Sequence, residues 1–262
     1  MYATSEAYLC NAIINAVRLR ELRVTPEADI VVLVDRAWLA EASETVTRRL
    51  VKLDQLMVKV VGVDIVNQSG DATWAQSTTK LRFFELIQYR RLIYFDADGL
   101  VMRSMDHLFS LPSAPVAMPR AYWLSQPAMC NALAVIEPSA QRLGELLHQA
   151  ETAGGFDMDV MNDLYKGQCL VLPNEYVFLT GELRATNHTR YLGNHLLPWN
   201  ATAELGRAYY VHFSDFPLPK PWLLGAEQLN STTVAPQCPQ QCEERALWLA
   251  LHHSFQREMQ QC

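Results

Sequence analysis

The chain has 262 residues, half of them hydrophobic and 19% charged, with a formal net charge of −6. That is enough apolar chain for one α/β domain with a large core. The acidic balance, with no run of Lys or Arg, excludes a nucleic-acid partner, since a phosphate backbone needs a basic face. No apolar stretch reaches the roughly 18 residues that a membrane-spanning helix needs.

In chain order, MYATSEAYLCNAII begins inside an element, with no polar lead-in. Ile30 to Val34 is a β-branched run and predicts a strand. Ala37 to Lys52 has helical spacing, and Val58 to Val66 predicts a second strand. Thr78 to Arg90, with Leu81, Phe84 and Ile87 three apart, predicts a helix. Leu92-Ile93-Tyr94-Phe95 predicts a buried strand. Shorter strands are expected at 116–118, 133–136, 169–172 and 209–213, and helices at 138–149 and 158–165. The last helix, Glu243 to Met259, places Leu247, Trp248, Leu251 and Phe255 on one face, which predicts packing against the body. Strands alternating with helices give an α/β class: a mostly parallel central sheet flanked by helices. Residues 1–262 are expected to form one domain, with 235–262 as a Pro- and Gln-rich linker and the packing helix.

Six Cys are present. CPQQC, with Cys238 and Cys242, reads as a disulfide-stapled loop, whereas Cys10, Cys130 and Cys169 read as small buried hydrophobes. A zinc site from Cys238, Cys242, His252 and His253 lacks a recognised spacing. Four sequons, at Asn67, Asn187, Asn200 and Asn230, exceed chance and join the even Cys count in pointing to a secretory origin.

The strand at Leu92 to Phe95 ends in Asp96, Asp98 and Gly99. Two carboxylates at the exit of a core strand are costly unless a cation sits between them. In such sheets ligands bind at the carboxyl ends of strands. One reading is the DxDG motif of haloacid dehalogenase phosphatases, with Asp96 as nucleophile and Asp98 as acid and base. That motif normally opens its domain, whereas here some ninety residues precede it, and no late acidic pair for Mg²⁺ follows. The other reading is a DxD site, where Mn²⁺ or Mg²⁺ bridges the diphosphate of a nucleotide sugar.

The flanking residues favour the second reading. YATSEAYLCNA, TTKLRFFELIQYRRLIYFDADGLV, MCNALAVIEPS, FDMDVMNDLY and HFSDFPLPKPW occur in this order. Together they resemble the conserved blocks of glycogenin-like glycosyltransferases, family 8 of the GT-A fold, from Tyr2 to Trp222. The wording DMDVMN, LTGELRATNHTRYLG and HFSDFPLPKPW is most similar to the fungal α-N-acetylglucosaminyltransferase branch. The resemblance implies that Ala3, Thr4 and Tyr8 contact uridine, that Ala97 lies near the ribose and that Lys80 binds the donor. It also implies that Asp96, Asp98 and His212 hold Mn²⁺ (or Mg²⁺) and that Lys220 reaches the diphosphate. Asn131 is implied on the sugar-binding strand, and Asp157 or Asp159 near the donor and acceptor sugars.

Each residue also has a plainer reading. Asp157 fits a helix N-cap, Lys80 and Lys220 fit solvated lysines, and His212 fits a core histidine beside Phe213. Thr4 and Tyr8 fit packing residues, and Trp74 and Trp222 face either core or sugar. The chain also departs from the family pattern. The usual Gly after HF is absent, the Ser214–Pro219 loop is longer and Pro-rich, Cys130-Asn131 stands in place of the usual Asn-Ser of the sugar-binding strand, and Met158 replaces Gln.

The expected activity is retaining, Mn²⁺-dependent transfer of GlcNAc, or next glucose, from a UDP-sugar to a hydroxyl of a glycan or glycoprotein. The alternative is a UDP-sugar-binding homologue without activity. No acceptor-tyrosine tail follows the domain, so self-glucosylation is not expected. The resemblance implies the Golgi lumen, with an anchor upstream of the given sequence as the only membrane attachment; a cytoplasmic protein is the alternative. The oligomeric state is left open.

Overall fold

The computed structural model describes residues 1–25, 27–67, 75–215, 217–230, 242–260 and 262. β1 (Tyr2–Ala3) runs into α1 (Glu6–Glu21), where the Ser5 side chain caps the helix by accepting from Tyr8 N. β2 (Ile30–Asp35), α2 (Arg36–Ala40), α3 (Glu44–Gln55) and β3 (Val58–Val63) follow. One helix was expected from Ala37 to Lys52, and two form. Ser43 takes extended backbone and accepts from Val46 N at 3.2 Å, which restarts the helix.

The segment expected to be α-helical from Thr78 to Arg90 is instead a 3₁₀ helix over Ser77–Glu85, followed by turns. Thr79 Oγ1 accepts from Val66 N at 3.0 Å, so hydroxyls at the start hold the backbone to its neighbour. The tighter winding turns Ser77 to Leu81, Phe83 and Phe84 all inward.

β4 (Leu92–Phe95), β5 (Gly99–Val101), β6 (Val116–Pro119) and β7 (Leu133–Ile136) come next. α4 (Ala140–Thr152), α5 (Asp157–Tyr165), β8 (Leu170–Leu172), β9 (Phe178–Leu179) and a 3₁₀ turn at Thr180–Arg184 lead to α6 (Thr189–Leu192). The chain then forms α7 (Ala201–Arg207), β10 (Tyr210–His212), α8 (Ala226–Asn230) and α9 (Glu243–Met259).

β1, β2 and β3 form a wholly parallel sheet. A second sheet has the order β4-β7-β6-β8 and a third β5-β10-β9. β6 with β8 and β9 with β10 are parallel, while β4 with β7, β6 with β7 and β5 with β10 are antiparallel. Parallel pairings prevail, and β5–β10 is the antiparallel addition that matters for the site.

α9 packs as its spacing predicts. Trp248 and Phe255 are fully buried, and burying Phe255 alone contributes roughly 1.5–3 kcal/mol. A disulfide joins Cys10 to Cys262 with Cα atoms 5.7 Å apart, so Cys10 is not the free buried hydrophobe expected. Spacing across 252 residues gives no signal for such a bond; the fold makes it by laying α9 along α1. Cys130 is free and buried, and Cys169 is free and half-buried. Cys242 is disulfide-bonded and therefore offers no thiolate to zinc. Cys238, Trp74 and the 235–241 linker lie outside the described residues.

Candidate active site

The two acids and the distant histidine meet because of one strand pairing. β4 delivers Asp96, whose N–H continues the ladder to Ala132 O at 2.9 Å. The chain turns at Ala97-Asp98 and re-enters as β5, antiparallel to β10 with Gly99 opposite His212. Phe213 N then donates to Asp98 O at 3.0 Å. One ligand atom from each of Asp96, Asp98 and His212 lies within 4.8 Å of the others.

The turn is clamped from below. Asn15 of α1 donates to Gly99 O at 2.8 Å and to Ala97 O at 3.4 Å, and accepts from Val101 N at 3.0 Å. Tyr210 OH donates to Asp96 O at 2.7 Å. A Cβ on Gly99 would sit 2.4 Å from the Tyr210 ring and from Val211 O, so only glycine fits there. Asn15 and Tyr210 escaped the sequence reading; the one available signal was a pair of Asn, Asn11 and Asn15, four apart inside the apolar helix CNAIINAV.

Lys80 lies inside, not on the surface. Its Nζ is 3.0 Å from Asp96 Oδ1 and 2.8 Å from Asp157 Oδ2, and it rests over the rings of Tyr2 and Tyr94 at 5.8 and 5.5 Å. The Tyr94 hydroxyl also donates to Asp96. Asn131 Nδ2 donates to Asp157 Oδ2 at 2.7 Å. Lys220 Nζ lies 2.7 Å from Asp98 Oδ2 and donates to Phe213 O at 2.6 Å. His212 Nε2 is 3.1 Å from Asp98 Oδ1.

The structure separates the two acids of DMD. Asp157 is buried in the lysine cluster, while Asp159 is exposed and accepts from Phe156 N at 3.0 Å as a helix cap. Asp159 therefore takes no part in the cluster. Ala3 is buried at the end of β1, Thr4 is half-buried, and Tyr8 lies edge-on to Trp222 with ring centres 5.3 Å apart. Ala97 has no exposed surface. Trp222 is half-buried between Tyr8 and Phe255.

These neighbours set the charges. Burial pushes Asp98 up, but Lys220 and His212 more than offset it and hold the carboxyl well below its usual range. Burial also pushes Asp157 up; Lys80 and hydrogen bonds from Ser77 and Asn131 overcome it, and the net direction is down. For Asp96 burial wins over Lys80, and its pKa rises to about 6. An acid held ionised by a lysine 2.7 Å away is a poor proton donor, so Asp98 does not suit the acid and base role of the phosphatase reading. Two carboxylates and an imidazole suit a hard divalent cation such as Mn²⁺ or Mg²⁺, and His212 Nδ1 is buried with no hydrogen-bond partner among the described residues. A separate groove lined by Asp29, Val31, Tyr89 and Leu92 opens at the amino ends of β2 and β4, away from Asp96.

Comparison with known proteins places this chain in a family. No family model matches the chain. It is 34% identical over 271 residues to glucose N-acetyltransferase 1 of Gibberella zeae, covering 97% of this chain and 59% of that protein. It is 35% identical over 298 residues to glucose N-acetyltransferase 1 of Aspergillus fumigatus, covering all of this chain and 75% of that protein. The chain thus spans well over half, but not all, of these relatives. Among solved structures, the galactosyltransferase LgtC in complex with donor and acceptor sugar analogs superposes with a TM-score of 0.62 at 15% identity, over 97% of this chain and 94% of LgtC, which establishes a shared fold. The chain belongs to the glucose N-acetyltransferase 1 family, a fungal branch of the glycogenin-like glycosyltransferases with the GT-A fold.

Proposed function

We propose that this protein transfers a sugar, GlcNAc in first place and glucose in second, from a UDP-sugar to a glycan hydroxyl with retention of configuration. The observation that carries the reading is the convergence of Asp96, Asp98 and His212 with two lysines, Lys80 and Lys220, in one buried cluster. The names of the relatives support the donor, since both are glucose N-acetyltransferases.

In this reading Asp96, Asp98 and His212 hold Mn²⁺, with Mg²⁺ as the substitute. The bound ion supplies positive charge for the diphosphate. Lys220 adds a second charge where negative charge develops on departing UDP, an interaction that is strongest in the transition state. Tyr8 and Trp222 form an aromatic corner beside the acids, suited to the uracil and ribose end. Lys80 and Asn131 hold the Asp157 carboxylate in a fixed orientation, from which it accepts hydrogen bonds from sugar hydroxyls. No Asp or Glu stands out as a covalent nucleophile. The acceptor then attacks from the leaving-group face, and a diphosphate oxygen takes its proton.

The Cys10–Cys262 bond supports folding in an oxidising compartment, and we assign the protein to the secretory pathway, in the Golgi lumen. Among the described residues no helix is long and apolar enough to cross a membrane.

The test is UDP release by the purified protein with Mn²⁺ across a panel of UDP-sugars. Release from UDP-GlcNAc that stops with EDTA, and is absent in Asp98→Asn of unchanged melting temperature, supports the reading. Turnover in Asp98→Asn equal to wild type removes the metal assignment. Absence of both UDP release and Mn²⁺-dependent UDP binding makes the chain an inactive homologue.

A further inference from the structure

Asp215 is a carboxylate, 7% exposed, that the proposed chemistry does not use. Trp248 Nε1 of α9 donates to its Oδ1 at 3.0 Å, and Thr180 Oγ1 donates to its Oδ2 at 2.5 Å. His252 Nε2, also of α9, lies 3.7 Å from Oδ2, and Arg184 Nη1 lies 4.0 Å from Oδ1. A buried carboxylate that satisfies so many partners is bound to a fixed place, because losing one donor leaves its full desolvation cost uncompensated.

That place is the start of the segment leading from His212 to Lys220. The single proton of Thr180 goes to Asp215, and its lone pair accepts from Ser214 N at 3.1 Å. Thr180 follows β9, which pairs in parallel with β10 at Leu179 and His212. A Cβ on Gly181 would lie 2.6 Å from Ser214 O, so the two segments are in close backbone contact. Beyond Asp215, Leu218 N donates to Asp215 O at 2.9 Å and turns the chain back towards Lys220. Phe213 packs between His252 and Phe255 of α9, with ring centres 5.1 and 4.9 Å away.

We infer that Asp215 is a positioning residue: tied to Thr180 and to Trp248, it sets the course of the segment that presents His212 and Lys220 to Asp98. α9 is thereby a working part of the metal and nucleotide site as well as a packing helix. The inference rests on the transferase reading.

The experiment is calorimetric titration of Mn²⁺ and UDP into wild type, Trp248→Phe and Thr180→Val, with Glu258→Gln as control. Trp248→Phe removes the N–H donor together with part of the buried indole's volume, whereas Thr180→Val removes the hydroxyl donor at nearly constant volume. Glu258→Gln removes the 2.6 Å ion pair between α9 and Arg18, away from Asp215. Trp248→Phe and Thr180→Val are expected to weaken Mn²⁺-dependent UDP binding about tenfold, the scale for partners that orient ligating groups. Glu258→Gln is expected to lower the melting temperature and leave binding unchanged. Wild-type binding with both Asp215-partner variants within twofold of it overturns the inference alone, as does equal weakening by Glu258→Gln. Wild type that binds neither Mn²⁺ nor UDP overturns the transferase reading and this inference with it.

Discussion

Replacing Lys80 by Met tests whether the interior of the site is held by charge. The Lys80 ammonium, 8% exposed, touches Asp96 at 3.0 Å and Asp157 at 2.8 Å. At an effective dielectric constant of about 20, each contact is worth about 5–6 kcal/mol before desolvation. Desolvation of three buried ions offsets much of that, and removing one partner of such a pair costs a net 3–5 kcal/mol or so. Lys80→Met keeps the stem volume, so the loss reports the two orphaned carboxylates. Urea unfolding followed by tryptophan fluorescence at pH 7 should show it. Burial opposes but does not overcome the lysine at Asp157, whose folded pKa lies below the ordinary 3.8. Its stabilisation is therefore complete above that value and lost as pH falls through the folded pKa. In Lys80→Met the unpaired acids take up protons at higher pH, so the gap to wild type should narrow as pH falls from 7 to 4. The further change Asp157→Asn should cost less in Lys80→Met than in wild type, a coupling of about 0.5–3 kcal/mol. A Lys80→Met protein within about 0.5 kcal/mol of wild type at pH 7, or strictly additive substitutions, would refute the reasoning.

Two other substitutions probe the frame around the acids. Gly99→Ala places a methyl against Tyr210 and the Val211 carbonyl; a loss of about 1–3 kcal/mol with a larger fall in UDP release is expected, and wild-type behaviour in both would mean the turn relaxes freely. Cys10→Ser opens a bond between residues 252 apart and should cost about 2–5 kcal/mol; wild type in dithiothreitol, which also reduces the Cys242 bond, should lose at least as much, and equal stability of all three would show that the bond constrains nothing.

The local part of this fold was legible because periodicity and β-branching act over a few residues. Ile30–Asp35, Leu92–Phe95 and Glu243–Met259 form where the pattern places them. Ser77–Glu85 does not, because its helical spacing competes with hydroxyls that bond across to Val66. Asp96 and Asp98 were legible as a costly pair at a strand end. The plain readings of Lys80 as a surface lysine and Asp157 as an exposed cap fail for one reason: each buries the other's charge, and no local pattern reveals a partner 77 residues away. Asp159 shows the converse, an acid that one sequence window could not separate from Asp157 and that local capping explains. Asn15 was missed because three of its four side-chain hydrogen bonds reach a turn more than eighty residues distant.

The charge count of the site sets an order of binding. Among the described residues, Asp96, Asp98 and Asp157 form ion pairs with the lysines Lys80 and Lys220, which leaves one uncompensated negative charge before His212 is considered. A cluster of that sign attracts a divalent cation and repels a diphosphate. Adding two positive charges reverses the sign, so Lys220 and the carboxylate cage then favour the anionic donor. Nucleotide affinity should therefore depend on prior metal. Calorimetry should show UDP binding at least about tenfold weaker with EDTA than with saturating Mn²⁺, while Mn²⁺ binds without UDP. In Asp98→Asn, which removes the excess negative charge, that dependence should shrink as metal binding is lost. Equal UDP affinity with and without Mn²⁺ in wild type would mean that the lysines alone hold the diphosphate, and the acids would then need another explanation.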